Sequence, residues 1–146
     1  MAVDLVGLRA AIAAKIKANI EAGVNVYDGY VPPAPMLPCI LVQPAPDYIT
    51  YTGTFGRPRV DVRLDVVMLT DPGMGTDGQR LLDQFLSVGD NQPNSVYDAL
   101  SDYPKIDGAE LVVNSAEYGF RDVWATPDAQ MLVDRASISL SVNQHG

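Results

Sequence analysis

The sequence has one cysteine, one histidine, one tryptophan and only ten basic side chains in 146 residues. A single thiol, Cys39, excludes an internal disulfide framework and a cysteine-rich metal site, and it fits a reducing, cytoplasmic compartment. It lies inside the apolar run Cys39-Ile-Leu-Val42, where a buried inert thiol is expected rather than a nucleophile. His145 stands one residue from the end of the sequence, where chains are usually mobile, so it is poorly placed as a triad base. No Gly-x-Ser-x-Gly elbow occurs. One Cys and one His cannot make a zinc site, and Asp71 and Asp77 lack the further carboxylates of a calcium loop. No catalytic residue, cofactor or metal is therefore expected.

Long apolar runs are also missing. None approaches the roughly 18–20 residues needed to span a bilayer, so no membrane association is expected. Asp4 and the polar residues interleaved after it do not make a signal peptide. Positive charge is scarce: net charge is −8, and residues 81–146 hold ten acids against three bases. Gripping phosphates needs clustered Lys and Arg, so specific nucleic-acid binding is not expected. An acidic surface repels DNA, which suits a protein that DNA must slide past.

What is present fits one α+β domain over residues 1–146, long enough to bury roughly 68–70% of its unfolded surface. Leu5, Leu8, Ile12, Ile16 and Ile20 recur at helical spacing within residues 3–22. Arg9, Lys15, Lys17 and Glu21 lie around the other side, and Gly23 stands where a left-handed cap is wanted. A short strand, Val24 to Tyr27, follows. The proline-rich passage Val31-Pro-Pro-Ala-Pro-Met-Leu-Pro38 can form neither helix nor interior strand. It leads to a strand, Cys39 to Gln43, ended by Pro44 and Pro46.

Residues 59–69 alternate strictly. Val60, Val62, Leu64, Val66 and Met68 point one way, and Arg59, Asp61, Arg63 and Asp65 the other, which means a sheet with one buried and one charged face. After it, Thr76 with Gln79 has capping-box spacing for a helix carrying Leu81, Leu82, Phe85 and Leu86. Asn94 can cap a second short helix with Val96, Tyr97 and Leu100. Two last strands run from Glu110 to Phe120 and from Met131 to Val142, the latter alternating Ile138, Leu140 and Val142 with Ser137, Ser139 and Ser141. The expected architecture is a mostly antiparallel, mixed sheet with a long N-terminal helix and two short helices packed on one face.

Four features compete for a function. Gly73-Met-Gly75-Thr-Asp-Gly78 spells the dinucleotide fingerprint, which would make the chain a small nucleotide-binding enzyme. That fingerprint needs a buried parallel strand running into the first glycine and a strand after the helix. Here Thr70-Asp71-Pro72 intervenes, the preceding strand has a charged face, and Asp98 lies on a helix, so a loop with a helix cap is the simpler reading. The acid pairs Glu110 with Glu117 and Asp61 with Asp65 read as surface charge, the second as a ladder with Arg59 and Arg63. Tyr118 and Trp124 flank a strand end and suit packing or an interface belt. Residues 47–57 form an extended loop or a hairpin arm. Tyr48, Ile49, Tyr51 and Phe55 make it more apolar than an exposed loop, and with Arg57 it has the composition of an interface. Folding back on the parent sheet is the alternative. The interface candidates are thus Tyr48, Tyr51, Phe55, Arg57, Arg59, Asp61, Arg63 and Asp65.

The order of these segments resembles the tail terminator proteins (minor tail proteins of the lambda U type) of long-tailed bacteriophages, especially those of actinobacterial hosts. The resemblance runs through Leu8-Arg-Ala-Ala-Ile-Ala-Ala-Lys15, Val24-Asn-Val-Tyr27, the proline-rich passage to Cys39-Ile-Leu-Val-Gln-Pro44, and Phe55-Gly-Arg57 before the alternating strand. It continues in the small helix after the Gly/Asp loop, in Ser95-Val-Tyr-Asp-Ala-Leu100, and in Glu117-Tyr-Gly119 before the final strand. It covers nearly the full length as order and spacing rather than as one motif. It implies a non-enzymatic virion protein, assembled in the host cytoplasm, that sits at the head-proximal end of the tail as a ring, usually hexameric. Such a ring caps the tail tube, stops its polymerisation and presents a surface to the head-tail connector. Head-tail joining proteins share the layout. A ring needs two different, heterologous faces on each subunit.

Overall fold

The computed structural model describes residues 4–27, 35–54, 57–89, 92–101, 105–106, 109–125 and 130–145. Among them, α1 (Leu5–Lys17), α2 (Thr76–Leu86) and α3 (Val96–Ser101) pack on one face of a six-stranded sheet. The strands are β1 (Asn25–Val26), β2 (Cys39–Thr54), β3 (Arg57–Thr70), β4 (Lys105–Ile106), β5 (Ala109–Ala125) and β6 (Gln130–His145), in the order β1-β2-β3-β6-β5-β4. Only the β1–β2 pair is parallel. The architecture is α+β, a single domain with a mixed, mostly antiparallel sheet, as the patterning predicts.

The alternation on β3 builds the core. Val60, Val62, Leu64, Val66 and Met68 are buried with Ile138, Leu140 and Val142 of β6 and with Leu8, Ile12 and Ile16 of α1. Leu5 and Ile20, half-buried, pack against the same cluster, as do Leu81, Leu82 and fully buried Phe85 of α2.

Below Asp65 the strand departs from its expected two-faced character. Val67 and Leu69 on the face away from the helices are fully buried with Cys39, Leu41 and Val133. Half-buried Tyr27, Leu37 and Met131 pack against them. The chain entering β2 is held there by the Met36 amide donating to the Tyr27 hydroxyl at 2.9 Å and by Asn25 Nδ2 donating to the Met36 carbonyl at 3.0 Å.

Several expected boundaries move, each for a local reason. Helix α1 has 13 residues, not the span 3–22, and closes on Ala18 rather than on Gly23. Past it, Asn19 Nδ2 donates to the carbonyls of Gln92 (3.0 Å) and Ser95 (2.9 Å), and the Glu21 amide donates to Asn94 Oδ1 at 2.8 Å. These tertiary bonds replace the next helical turn. Asn94 is therefore occupied with α1, and Ser95 caps α3 instead, its Oγ accepting from the Asp98 amide at 3.0 Å. Thr76 is the first residue of α2 rather than its cap, and Gly75 precedes it without a side-chain capping bond. Asp4 caps α1 by accepting from the Gly7 amide at 3.0 Å.

Arg9 is not on the solvent side of α1. It is 7% exposed, and its Nη2 donates to the Val42 carbonyl at 2.8 Å. Pro44 and Pro46 do not end β2, which continues to Thr54 through a register shift between Pro44 and Ile49. Prolines fit there because β1 pairs only with Cys39 and Ile40, so no described strand needs their missing donors. Strands β5 and β6 both outrun their expected ends, and β6 carries backbone pairing as far as His145, which lies opposite Arg59.

Candidate assembly surface

The sheet face opposite the helices carries the charge ladder. On β3 the register sets Arg59, Asp61, Arg63 and Asp65 on that face, with Asp61 opposite Asn143, Arg63 opposite Ser141 and Asp65 opposite Ser139 of β6, and Ser137 next along the same face. Beyond β6 lie Glu110, Val112, Ser115 and Glu117 of β5, all exposed. The alternation of β6 places its three serines here for the same reason that it buries Ile138, Leu140 and Val142 on the other side. A recess of about 390 Å³ opens on this face, lined by Arg63 and Asp65, by Glu117, and by Arg135, Ser137 and Ser139. Asn114, at the β5 register shift, donates from Nδ2 to Ser141 Oγ at 2.7 Å and ties the two strands together.

Both signs of charge meet in this recess. Partial burial pushes the Asp65 carboxyl above its ordinary value, the Arg135 charge opposes that rise, and the Glu117 carboxylate adds to it. The surface is neither an anion trap nor a cation trap. Arginines, carboxylates and hydroxyls interleaved on a rigid sheet suit a partner that presents both kinds of group.

The other candidates lie elsewhere. The arm folds back as the β2–β3 hairpin, with Ile49 opposite Val62 and Tyr51 opposite Val60. That places Tyr51 on the helix side of the sheet, 78% exposed, while half-buried Tyr48 and Ile49 pack against the core. The aromatics and the ladder are thus on opposite faces of one hairpin. Phe55 lies outside the described residues, and of Arg57 only the backbone, opposite Thr54, is described. Trp124 is described only by its backbone, opposite Met131. Tyr118 is on the helix face, where burial and the carboxylates of Asp83 and Asp134 push its hydroxyl's pKa up.

A second recess, of about 180 Å³, is apolar. It lies where α2 and α3 meet the helix side of β5, and Leu86, Val88, Tyr97, Val113, Ala116 and Ile138 line it. Val88 is 66% exposed there. The sequence reading missed this recess because its residues come from four separate elements. Arg135 was missed too, although its period with Ser137 and Ser139 marks it as belonging to the charged face.

The glycine loop spends its donors on itself. The Gly73 amide donates to Asp71 Oδ1 (2.8 Å), the Met74 amide to the Asp71 carbonyl (2.9 Å) and the Gly75 amide to the Pro72 carbonyl (3.1 Å). Its glycines have conformational and packing reasons. Gly75 sits at φ 58°, ψ −128°, and a Cβ on Gly78 would stand 3.1 Å from Met74 Cβ and 3.2 Å from Thr70 Oγ1. The strand entering the loop is antiparallel to both neighbours, and a helix rather than a strand follows α2. Asp98 is buried, and its carboxylate accepts from the amides of Gly89 (3.2 Å) and Gln92 (2.8 Å).

Cys39 is fully buried, with its thiol pushed up to about 12 by that burial. No group of three or more His, Cys, Asp or Glu side chains that could hold a metal occurs among the described residues, and no described helix is long and apolar enough to cross a membrane. No protein-family model matches the chain, and no curated protein matches it at a significant level.

Proposed function

We propose that this chain is a non-enzymatic structural protein of a phage tail, which assembles as a ring, usually a hexamer in proteins of this kind, and caps the tail tube at its head-proximal end. In this reading its partners are further copies of itself, the tail tube protein and the head-tail connector. The cap stops tube polymerisation and the virion is the site of action. The observation that carries the reading is the element order. A capped helix, a short strand, the strand from Cys39, the alternating strand, a glycine loop with two short helices and two final long strands occur in the order on which the resemblance rests, with one short further strand, β4, before the last two. The sheet adds support: its polar face is open to a partner around the Arg59–Asp65 ladder and the facing residues of β6 and β5, and its helix face carries a separate exposed aromatic, Tyr51. A head-tail joining protein of the same layout would use the same surfaces. The dinucleotide alternative is disfavoured by the internally bonded loop amides and by the antiparallel setting of β3.

Light scattering on the purified full chain tests the assembly. A mass several-fold above 15.7 kDa, with closed rings in electron micrographs, is expected. A 15.7 kDa particle at every concentration reached would contradict it.

A further inference from the structure

The two long outer edges of the sheet differ in how they are finished. At the start of β2 every outward carbonyl is used. Pro38 accepts from the Asn25 amide (3.0 Å), Ile40 from the Tyr27 amide (3.2 Å), and Val42 from Arg9 Nη2 (2.8 Å). Pro44 and Pro46 then leave no donors. From Ile49 to Thr54 none of these devices is present among the described residues. The alternation of an antiparallel ladder carries on from Ile40 and Val42 through their β3 partners, so it turns the N–H and C=O of Ile49, Tyr51 and Gly53 outward. This stretch, Ile-Thr-Tyr-Thr-Gly-Thr, has no charge, although a charge is a common protection of a bare edge. At the other end of the sheet β4 pairs only with Ala109 and Glu110 of β5. From Leu111 to Glu117 no described strand lies outside β5, and Val112, Asn114, Ser115, Ala116 and Glu117 are exposed.

We propose that the Ile49–Thr54 edge of one copy pairs with the Leu111–Glu117 edge of the next, joining the sheets of successive subunits head to tail; this rests on the ring reading above. Two independent features select this occupant. Strand polarity is the first. β2, β3, β6 and β5 alternate in direction, so β2 and β5 run oppositely. Within one sheet Ile49 lies level with Leu111 and Thr50 with Glu110, which β4 covers. The copies are therefore related by rotation about an axis tilted from the strands, as in a closed barrel. The tilt slides Leu111–Glu117 of one beside β2 of the next as an antiparallel pair, the better-bonded arrangement. Side is the second. In a continuous sheet the helix faces coincide, so exposed Tyr51 arrives on the same side as the apolar recess formed by Leu86, Val88, Tyr97 and Val113. Backbone bonds supply affinity and the tyrosine in its recess supplies register.

Paired cysteines test this in the full chain, since the one native thiol is buried. Thr50→Cys and Glu117→Cys replace exposed residues of the two edges. A flexible bis-maleimide, which tolerates an unknown register, should convert the double variant into a ladder of covalent oligomers ending at the ring. Each single variant should stay uncross-linked, and circular dichroism should match the parent protein throughout. Covalent dimers from Thr50→Cys alone would overturn the proposal in favour of a two-fold β2–β2 contact. Rings seen by light scattering without a ladder would overturn the edge pairing and leave the ring reading standing. Monomers at every concentration would overturn both.

Discussion

Arg9 Nη2 donates to the Val42 carbonyl at 2.8 Å, across the seam between α1 and the outer edge of β2. Bonds that involve a charged donor contribute about 1.5–3 kcal/mol, and removing the donor leaves a buried carbonyl unpaired. Arg9→Met keeps most of the apolar stem and should lower unfolding stability by about 2 kcal/mol in denaturant titrations. An unchanged midpoint would show that the bond holds nothing.

The Gly73–Gly78 loop gives the second prediction. Gly75 adopts φ 58° and ψ −128°, a region that side chains rarely enter, so Gly75→Ala should cost about 1–3 kcal/mol. Millimolar NAD or NADP should leave the melting temperature of the parent protein unchanged, because a ligand that binds only the folded state raises it. A clear rise with either dinucleotide would revive the enzymatic reading.

Cys39 gives the third. Its pKa rises from 9.0 to about 12 on burial, so a soluble thiol reagent at pH 8 should label the unfolded chain and spare the folded one. The folded pKa is the higher one, so this group's contribution is fully present below pH 9.0 and is lost as pH rises toward about 12. Cys39→Ala should flatten the alkaline decline in stability. Cys39→Ser, which buries a hydroxyl, should cost about 1–3 kcal/mol at neutral pH.

Asp65 gives the fourth, with the opposite practical consequence. Its carboxyl is held above 3.8 chiefly by burial, so its ionised form is disfavoured in the folded state. Its contribution is present at low pH and falls as pH rises through the raised value. Asp65→Asn should therefore be neutral or slightly stabilising at pH 7, with its advantage over the parent protein shrinking as pH falls toward 3.8. A large loss at pH 7 would mean that attraction to Arg135 outweighs burial.

How much of this was legible in the sequence follows from the range of each interaction. The period-2 signal on β3 and β6 is local, and it located both the core face and the ladder of Arg59, Asp61, Arg63 and Asp65. The stripe of Leu8, Ile12 and Ile16 was legible for the same reason. Boundaries set by contacts distant in sequence were not: Asn19 and Asn94, which end α1 and displace the cap of α3, meet 75 residues apart through the Asn94 amide and the Asn19 carbonyl. Arg9 looked solvent-facing because its acceptor belongs to another element. The prolines of β2 suggested a strand end, since edge position cannot be read from one strand alone. Val67 and Leu69 continue the face that Asp65 makes charged, and their burial was not legible because the second layer that covers them comes from residues distant in sequence, Tyr27, Leu37 and Val133. The candidate surface was half legible: its charges and the aromatic arm were visible as two separate contact halves, but that Tyr51 and the ladder lie on opposite faces of one hairpin follows only from the pairing of β2 with β3.

Electron microscopy of tail tubes polymerised from the cognate tube protein in the presence of this chain shows whether it caps them. Ring-shaped density is expected at one end of each tube, and tubes should stop lengthening once it is bound. Tubes that grow to the same lengths with and without the chain, and carry no density at either end, would contradict the capping role.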